Sequence, residues 1–126
     1  MLPAVNRIRT ASEFSRTVRS GARSGRRNVV LYGSITPGMD PSRFGFIVGK
    51  NVGNAVVRNL VKRRLRNAAA KSLTRNPHGL DIVVRALPAS AAAGWPELST
   101  DLEKGLSSVL RRLTARDDAA TEGEGQ

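Results

Sequence analysis

The chain contains no cysteine, so disulfides, thiolate metal ligands and a cysteine nucleophile are all excluded. Its single histidine, His78, lies in a Pro-His-Gly turn and reads as a loop residue rather than a catalytic base. No apolar run approaches the roughly 20 residues of a membrane span. The opening MLPAVNRIRTASEF lacks the apolar stretch of a secretory signal, so a cytoplasmic protein with no membrane partner is expected. Acidic residues are the most telling scarcity, because from Pro41 to Leu80 there is no Asp or Glu. Asp40 and Asp81 each flank a predicted strand without a second carboxylate at ligand spacing. Two-metal nuclease chemistry needs several acidic ligands. No catalytic and no metal-binding residue is therefore assigned.

What is present is basic. Lys and Arg number 21 against 10 acidic residues, a net charge of +11 in 126 residues, enough chain for one domain with one modest core. Such a charge points to nucleic acid or an anionic surface. The stretch KNVGNAVVRNLVKRRLRNAAAK, Lys50 to Lys71, concentrates it. On a helix over 57–73, Val57, Val61, Leu65, Ala68 and Ser72 share one side. Arg58, Asn59, Lys62, Arg63 and Arg66 fall on the other, and Arg64 lands at the apolar edge, where its stem packs and its head reaches out. Like charges at helical spacing repel by a few tenths of a kcal/mol per pair. Phosphates convert that repulsion into attraction.

The rest of the chain supplies a scaffold. Thr10-Ala-Ser-Glu13 has the form of a capping box, and Phe14 and Val18 share a face of the helix it opens; Gly21 is its expected stop. Arg23, Arg26 and Arg27 read as a Gly/Ser-rich link. NVVLY (28–32), RFGFIVG (43–49) and DIVVRA (81–86) read as strands. In the second of these, alternation puts Phe44, Phe46 and Val48 on one face and Gly45, Ile47 and Gly49 on the other, with space beside the small residues. Leu98, Leu102, Leu106, Val109 and Leu113 recur at helical spacing. Residues 1–114 are expected to form the single domain and 115–126 a disordered polar tail.

The run Ala55 to Asn67 resembles the RNR signature of the bacterial ribonuclease P protein subunit, approximately K-x-G-x-A-V-x-R-N-x-x-K-R-x-x-R. Gly53, Ala55, Val56, Arg58, Asn59, Lys62, Arg63 and Arg66 match it, and Lys50 stands one place before the strict lysine position. The resemblance extends from about Asn6 to Leu113. Phe14 matches an aromatic of the family's first helix, while Val18 replaces a second aromatic often found one turn later. Asn67 replaces the acidic residue that often closes the signature, and Ala86-Leu87 replace a usual basic pair.

The resemblance implies an α/β (α+β) two-layer sandwich of order αβββαβα. Its central four-stranded sheet is mostly antiparallel, with a left-handed β-α-β crossover against the usual rule. Only three strands are readable here, so the fourth must be short or split. The implied function is that of the protein subunit of ribonuclease P, an endoribonuclease in which the RNA subunit removes the 5′ leader of precursor tRNA and the isolated protein is inactive. The implied partners are that catalytic RNA and precursor tRNA, not DNA. Mg2+ belongs to the RNA–protein holoenzyme, and no cofactor is assigned to the protein. The RNA subunit is expected on Lys50, Arg58, Asn59, Lys62, Arg63, Arg64 and Arg66. A cleft for the single-stranded leader is expected from Phe14, Val18, Tyr32, Gly45, Ile47 and Gly49, with Arg85 or Arg27 holding the backbone. Phe14 and Tyr32 remain open to a second reading as core residues. A structural ribosomal or other basic RNA-binding protein is the alternative of similar charge, and needs no such cleft.

Overall fold

Residues 2–124 are described by a computed structural model, with side chains described over 2–116. The first helix, α1 (Ala11–Ser20), begins at the expected capping box: the Thr10 hydroxyl accepts from the Glu13 N–H, and the Glu13 carboxylate accepts from the Thr10 N–H. It ends at Gly21, as expected, but in extended backbone rather than a left-handed cap. The glycine is needed for a close approach instead, since a Cβ there would lie 2.3 Å from the Thr17 carbonyl and 2.7 Å from that of Gly33.

The fourth strand is β1 (Ala22–Gly25), which falls in the stretch read as a link. ARSG contains no β-branched or aromatic residue, so its strand character comes from pairing and not from propensity. It lies antiparallel to β2 (Val29–Ile35), with Arg23 opposite Tyr32. Next come β3 (Arg43–Ile47), α2 (Ala55–Leu73), β4 (Leu80–Ala86) and α3 (Trp95–Glu124). The order is αβββαβα, and the sheet runs β1-β2-β4-β3. Its first two pairings are antiparallel; β3 and β4 are parallel, with α2 between them in the chain. The order leaves β3 on an edge. The segment before α1 covers part of that edge, through a parallel bridge from Arg7 to Phe44.

Alternation divides the sheet cleanly. Val29, Leu31, Phe44, Ile82 and Val84 face α2 and α3 and form the main core with Val61, Leu65, Leu98, Leu102 and Val109. Val30, Tyr32 and Val83 face the other way and make a smaller cluster with Ile8, Phe14, Val18 and Ile47. The sheet and the α2–α3 layer are thus the main sandwich, and α1 covers part of the opposite face. Helix α3 runs on to Glu124, across most of the stretch expected to be disordered. No proline or glycine interrupts it between Leu106 and Glu122, and Ala115, Ala119 and Ala120 are strong helix formers. Gly125 and Gln126 lie outside the described residues. No described helix is long and apolar enough to cross a membrane.

Candidate nucleic-acid interface

Helix α2 starts at Ala55, where the Asn54 side chain accepts from the Val57 N–H at 3.0 Å. It buries Val61, Leu65, Ala68, Ala69 and Ser72. Asn59 and Arg63 stand exposed on the crest, and Lys50 is exposed in the turn before the helix. Lys62 and Arg66 are half-buried along the flank towards β3. Arg58 differs from expectation. It precedes Leu65 by about two turns and so begins on the buried side. It is half-buried, and its Nε is enclosed without a hydrogen-bond partner. Arg64 is also partly engaged, donating from Nη1 to the Ala93 carbonyl at 2.9 Å and so tying α2 to the turn before α3. Lys71 is drawn away by Glu103, at 3.8 Å, and by the Trp95 ring, whose centroid is 5.8 Å from Nζ. Of the expected cations, those free to meet a polyanion are therefore Arg63 at the crest, Lys62 and Arg66 beside it, and Lys50 in the turn before the helix.

Across the edge of β3, a groove of about 550 Å³ lies between α1 and α2. Phe14, Val18, Phe46 and Ile47 form its apolar surface; Lys62 and Arg85 stand at its sides. Three expected floor residues are placed otherwise. Gly45 does not leave open space, because a Cβ there would lie 2.5 Å from the Phe14 ring: the missing side chain is the seat of Phe14. Tyr32 is only 8% exposed and sits in the small cluster beneath α1. It supports Arg85, whose guanidinium is 5.8 Å from the ring centroid. Gly49 follows β3 in a turn and does not line the groove. Of the two arginines expected to hold the backbone, Arg85 lines the groove. Arg27 lies elsewhere, at a hollow with Asn28, Pro96 and Glu97, because β1 carries the chain away from α1 before Arg27 is reached.

Sequence reasoning placed Lys62 only with the basic helix, and it also borders the groove. The signal was its position three residues before Leu65, on the flank of the buried stripe rather than opposite it. A smaller hollow of about 110 Å³, bounded by Arg7, Phe14, Lys62 and Arg66, continues along the same edge. The crest and the groove are thus one surface turned over the β3 edge.

Helix α1 is held over the sheet by charge. Arg43 on β3 donates from Nε and Nη2 to the two oxygens of Asp81 on β4, at 3.0 and 2.8 Å, and from Nη1 to Glu13. Asp81 is 1% exposed, and the Arg16 guanidinium approaches it to 4.0 Å. The Arg43 donation, aided by the Thr10 hydroxyl, lowers the Glu13 pKa from 4.5 to about 2. Asp81 and, after it, Glu13 raise the Arg43 pKa above its usual value. These carboxylates are engaged in structural pairs. Among the described residues no group of three or more His, Cys, Asp or Glu could hold a metal. The surface can bind and orient a polyanion.

The family model described as Ribonuclease P matches residues 2–110. The chain is 60% identical over 120 residues to the ribonuclease P protein component of Pseudarthrobacter chlorophenolicus, covering 95% of this chain and 88% of the relative. It is 54% identical over 112 residues to that of Kocuria rhizophila, covering 89% and 98%. Among solved structures it is similar to the Staphylococcus aureus RNase P protein, with a TM-score of 0.72 and 29% identity over 81% of this chain and 93% of that one. The Thermotoga maritima RNase P protein gives 0.65 and 26%, over 83% and 96%.

Proposed function

Because the chain belongs to the bacterial ribonuclease P protein family, as the protein component that partners the RNase P RNA, we propose that it divides two RNA tasks across the β3 edge. Family membership sets aside the ribosomal alternative. The α2 crest, led by Arg63 with Lys62 and Arg66, binds the RNA subunit. The groove under α1 takes the single-stranded 5′ leader of precursor tRNA. The RNA subunit carries out the hydrolysis, and the protein positions the substrate.

The observation that carries this reading is the groove itself: apolar and aromatic surface from Phe14, Val18 and Ile47, flanked by Lys62 and Arg85. Bases stack on rings and pack on apolar side chains with little sequence preference, while cations hold the intervening phosphates. That suits leaders of varied sequence. Arg85 is held above Tyr32, so its charge stands ready at the groove side. Lys62 borders both surfaces and meets the point at which leader and RNA subunit converge. Magnesium is assigned to the RNA. In support of this, Asp81 directs both oxygens to Arg43, and Glu13 divides its own between Arg43 and Thr10.

The test is cross-linking from 4-thiouridine placed along the leader of precursor tRNA bound to the holoenzyme. Cross-links should fall on α1 and β3, at Phe14, Val18 or Ile47. Cross-links confined to the α2 crest, or to α3, would contradict the assignment.

A further inference from the structure

A second groove, of about 430 Å³, lies between the C-terminal end of α2 and the outer side of α3. It is separate from the surface described above, because Lys71, paired with Glu103, and Arg64, bonded to Ala93, stand along the intervening flank of α2. Arg75, Lys104 and Arg111 line it and are exposed. Among the described residues no carboxylate pairs with any of the three. Glu103 is the acid at this groove, and its partner is Lys71. The inner wall carries Ser72, which is 4% exposed and whose hydroxyl has no hydrogen-bond partner. A buried hydroxyl left unpaired is unfavourable, and rotation of the Ser72 side chain towards an oxyanion in the groove would satisfy it. A solvated helix face explains exposed cations, but not three unpaired ones from two parts of the chain lining one groove beside an unpartnered hydroxyl.

We propose that this groove is a further RNA-backbone site and that it holds a phosphodiester of the RNA subunit. Arg75, Lys104 and Arg111 supply the charge, and Ser72 donates to a phosphate oxygen. The RNA subunit is the occupant because α2 and α3 form one layer on the same side of the sheet. An RNA resting on the α2 crest continues over α3, whereas the leader groove opens beneath α1. The inference rests on the crest reading for its choice of RNA, and the experiment separates the two.

Affinity of the full-length protein for the refolded RNA subunit is measured against salt. Lys104→Ala with Arg111→Ala should weaken binding about three- to tenfold at fixed salt and reduce the salt slope by roughly 1–2. Arg63→Ala is the control for the crest. Loss with Arg63→Ala but none with the double variant overturns the second site and leaves the crest standing; loss with neither overturns both. Ser72→Ala distinguishes a ligand-facing hydroxyl from a merely buried one. It should raise the thermal midpoint of the free protein and still weaken RNA binding, whereas a gain in stability with unchanged binding overturns the role of Ser72. The absence of cysteine permits a single-site probe: Ser107→Cys carrying tethered iron-EDTA should cut the RNA subunit in the holoenzyme. Cutting confined to precursor tRNA, or no cutting, overturns the proposal.

Discussion

Replacing Arg43 with alanine should cost this protein more than any single change on its RNA-binding surface. The guanidinium is the shared partner of Asp81 and Glu13, and Asp81 is only 1% exposed. Removing one member of a buried pair leaves the other charge uncompensated, which typically costs 3–5 kcal/mol. The loss should also change the response to acid. Glu13 has a folded pKa of about 2 against 4.5. A carboxyl with a depressed folded pKa contributes stability that is present above the unfolded value and is lost as pH falls through the folded one. The window is therefore pH 4.5 down to 2. A shift of this size corresponds to about 3 kcal/mol. With 21% of the Glu13 side chain exposed, solvent screening reduces the expectation to about 1–2 kcal/mol. Urea unfolding of the native protein, Arg43→Ala and Glu13→Gln between pH 2 and 7 measures both effects. Arg43→Ala should lower the midpoint sharply at pH 7 and flatten the acid limb below pH 4.5, and Glu13→Gln should flatten that limb alone. A variant within about 0.5 kcal/mol of the native protein, or an unchanged acid limb, would refute the role given to this network. Leader binding should weaken in parallel, because Arg43 fixes the seat of α1 and hence one wall of the groove.

Other changes should act more locally. Val18→Tyr places a ring at the groove, and stacking of one base should tighten leader-bearing precursor tRNA by about 1 kcal/mol or more, measured by titration against mature tRNA; equal effects on both ligands would count against the groove. Gly45→Val forces a side chain into the Phe14 ring, so the melting temperature should fall by the equivalent of about 1–3 kcal/mol, with leader affinity falling alongside. Arg64→Ala should lower stability by up to about 1.5–3 kcal/mol through loss of the bond to Ala93, and should change the salt slope of RNA-subunit binding less than Arg63→Ala does.

Features set by local pattern were legible in the sequence. The capping box, the apolar stripe of α2, and the Leu98 to Leu113 spacing of α3 each depend on residues within a few turns of one another. Strand β1 was not legible, because ARSG becomes a strand only by pairing with β2. Site composition was half legible for the same reason. Phe14, Val18, Ile47 and Arg85 come together as expected, since alternation and helical phase decide which way each points. Whether a space is open depends on what fills it from elsewhere in the chain. Gly45 is small, and Phe14 occupies the room it leaves; Tyr32 is aromatic, and the α1 face covers it. Charge runs carry the same ambiguity. Arg64 and Lys71 look as free as Arg63 in the sequence, yet Ala93 and Glu103 claim them in the fold.

In the proposed division of labour, this protein adds recognition of the leader to an RNA that recognises the rest of the substrate. The most direct measurement is the affinity of precursor tRNA and of mature tRNA for the RNA subunit, with and without the protein. The protein should tighten binding of precursor tRNA far more than of mature tRNA, and Val18→Ala with Arg85→Ala should remove that difference while the RNA–protein complex still assembles. An equal gain for both tRNAs, or a precursor-specific gain that survives the groove substitutions, would contradict the account.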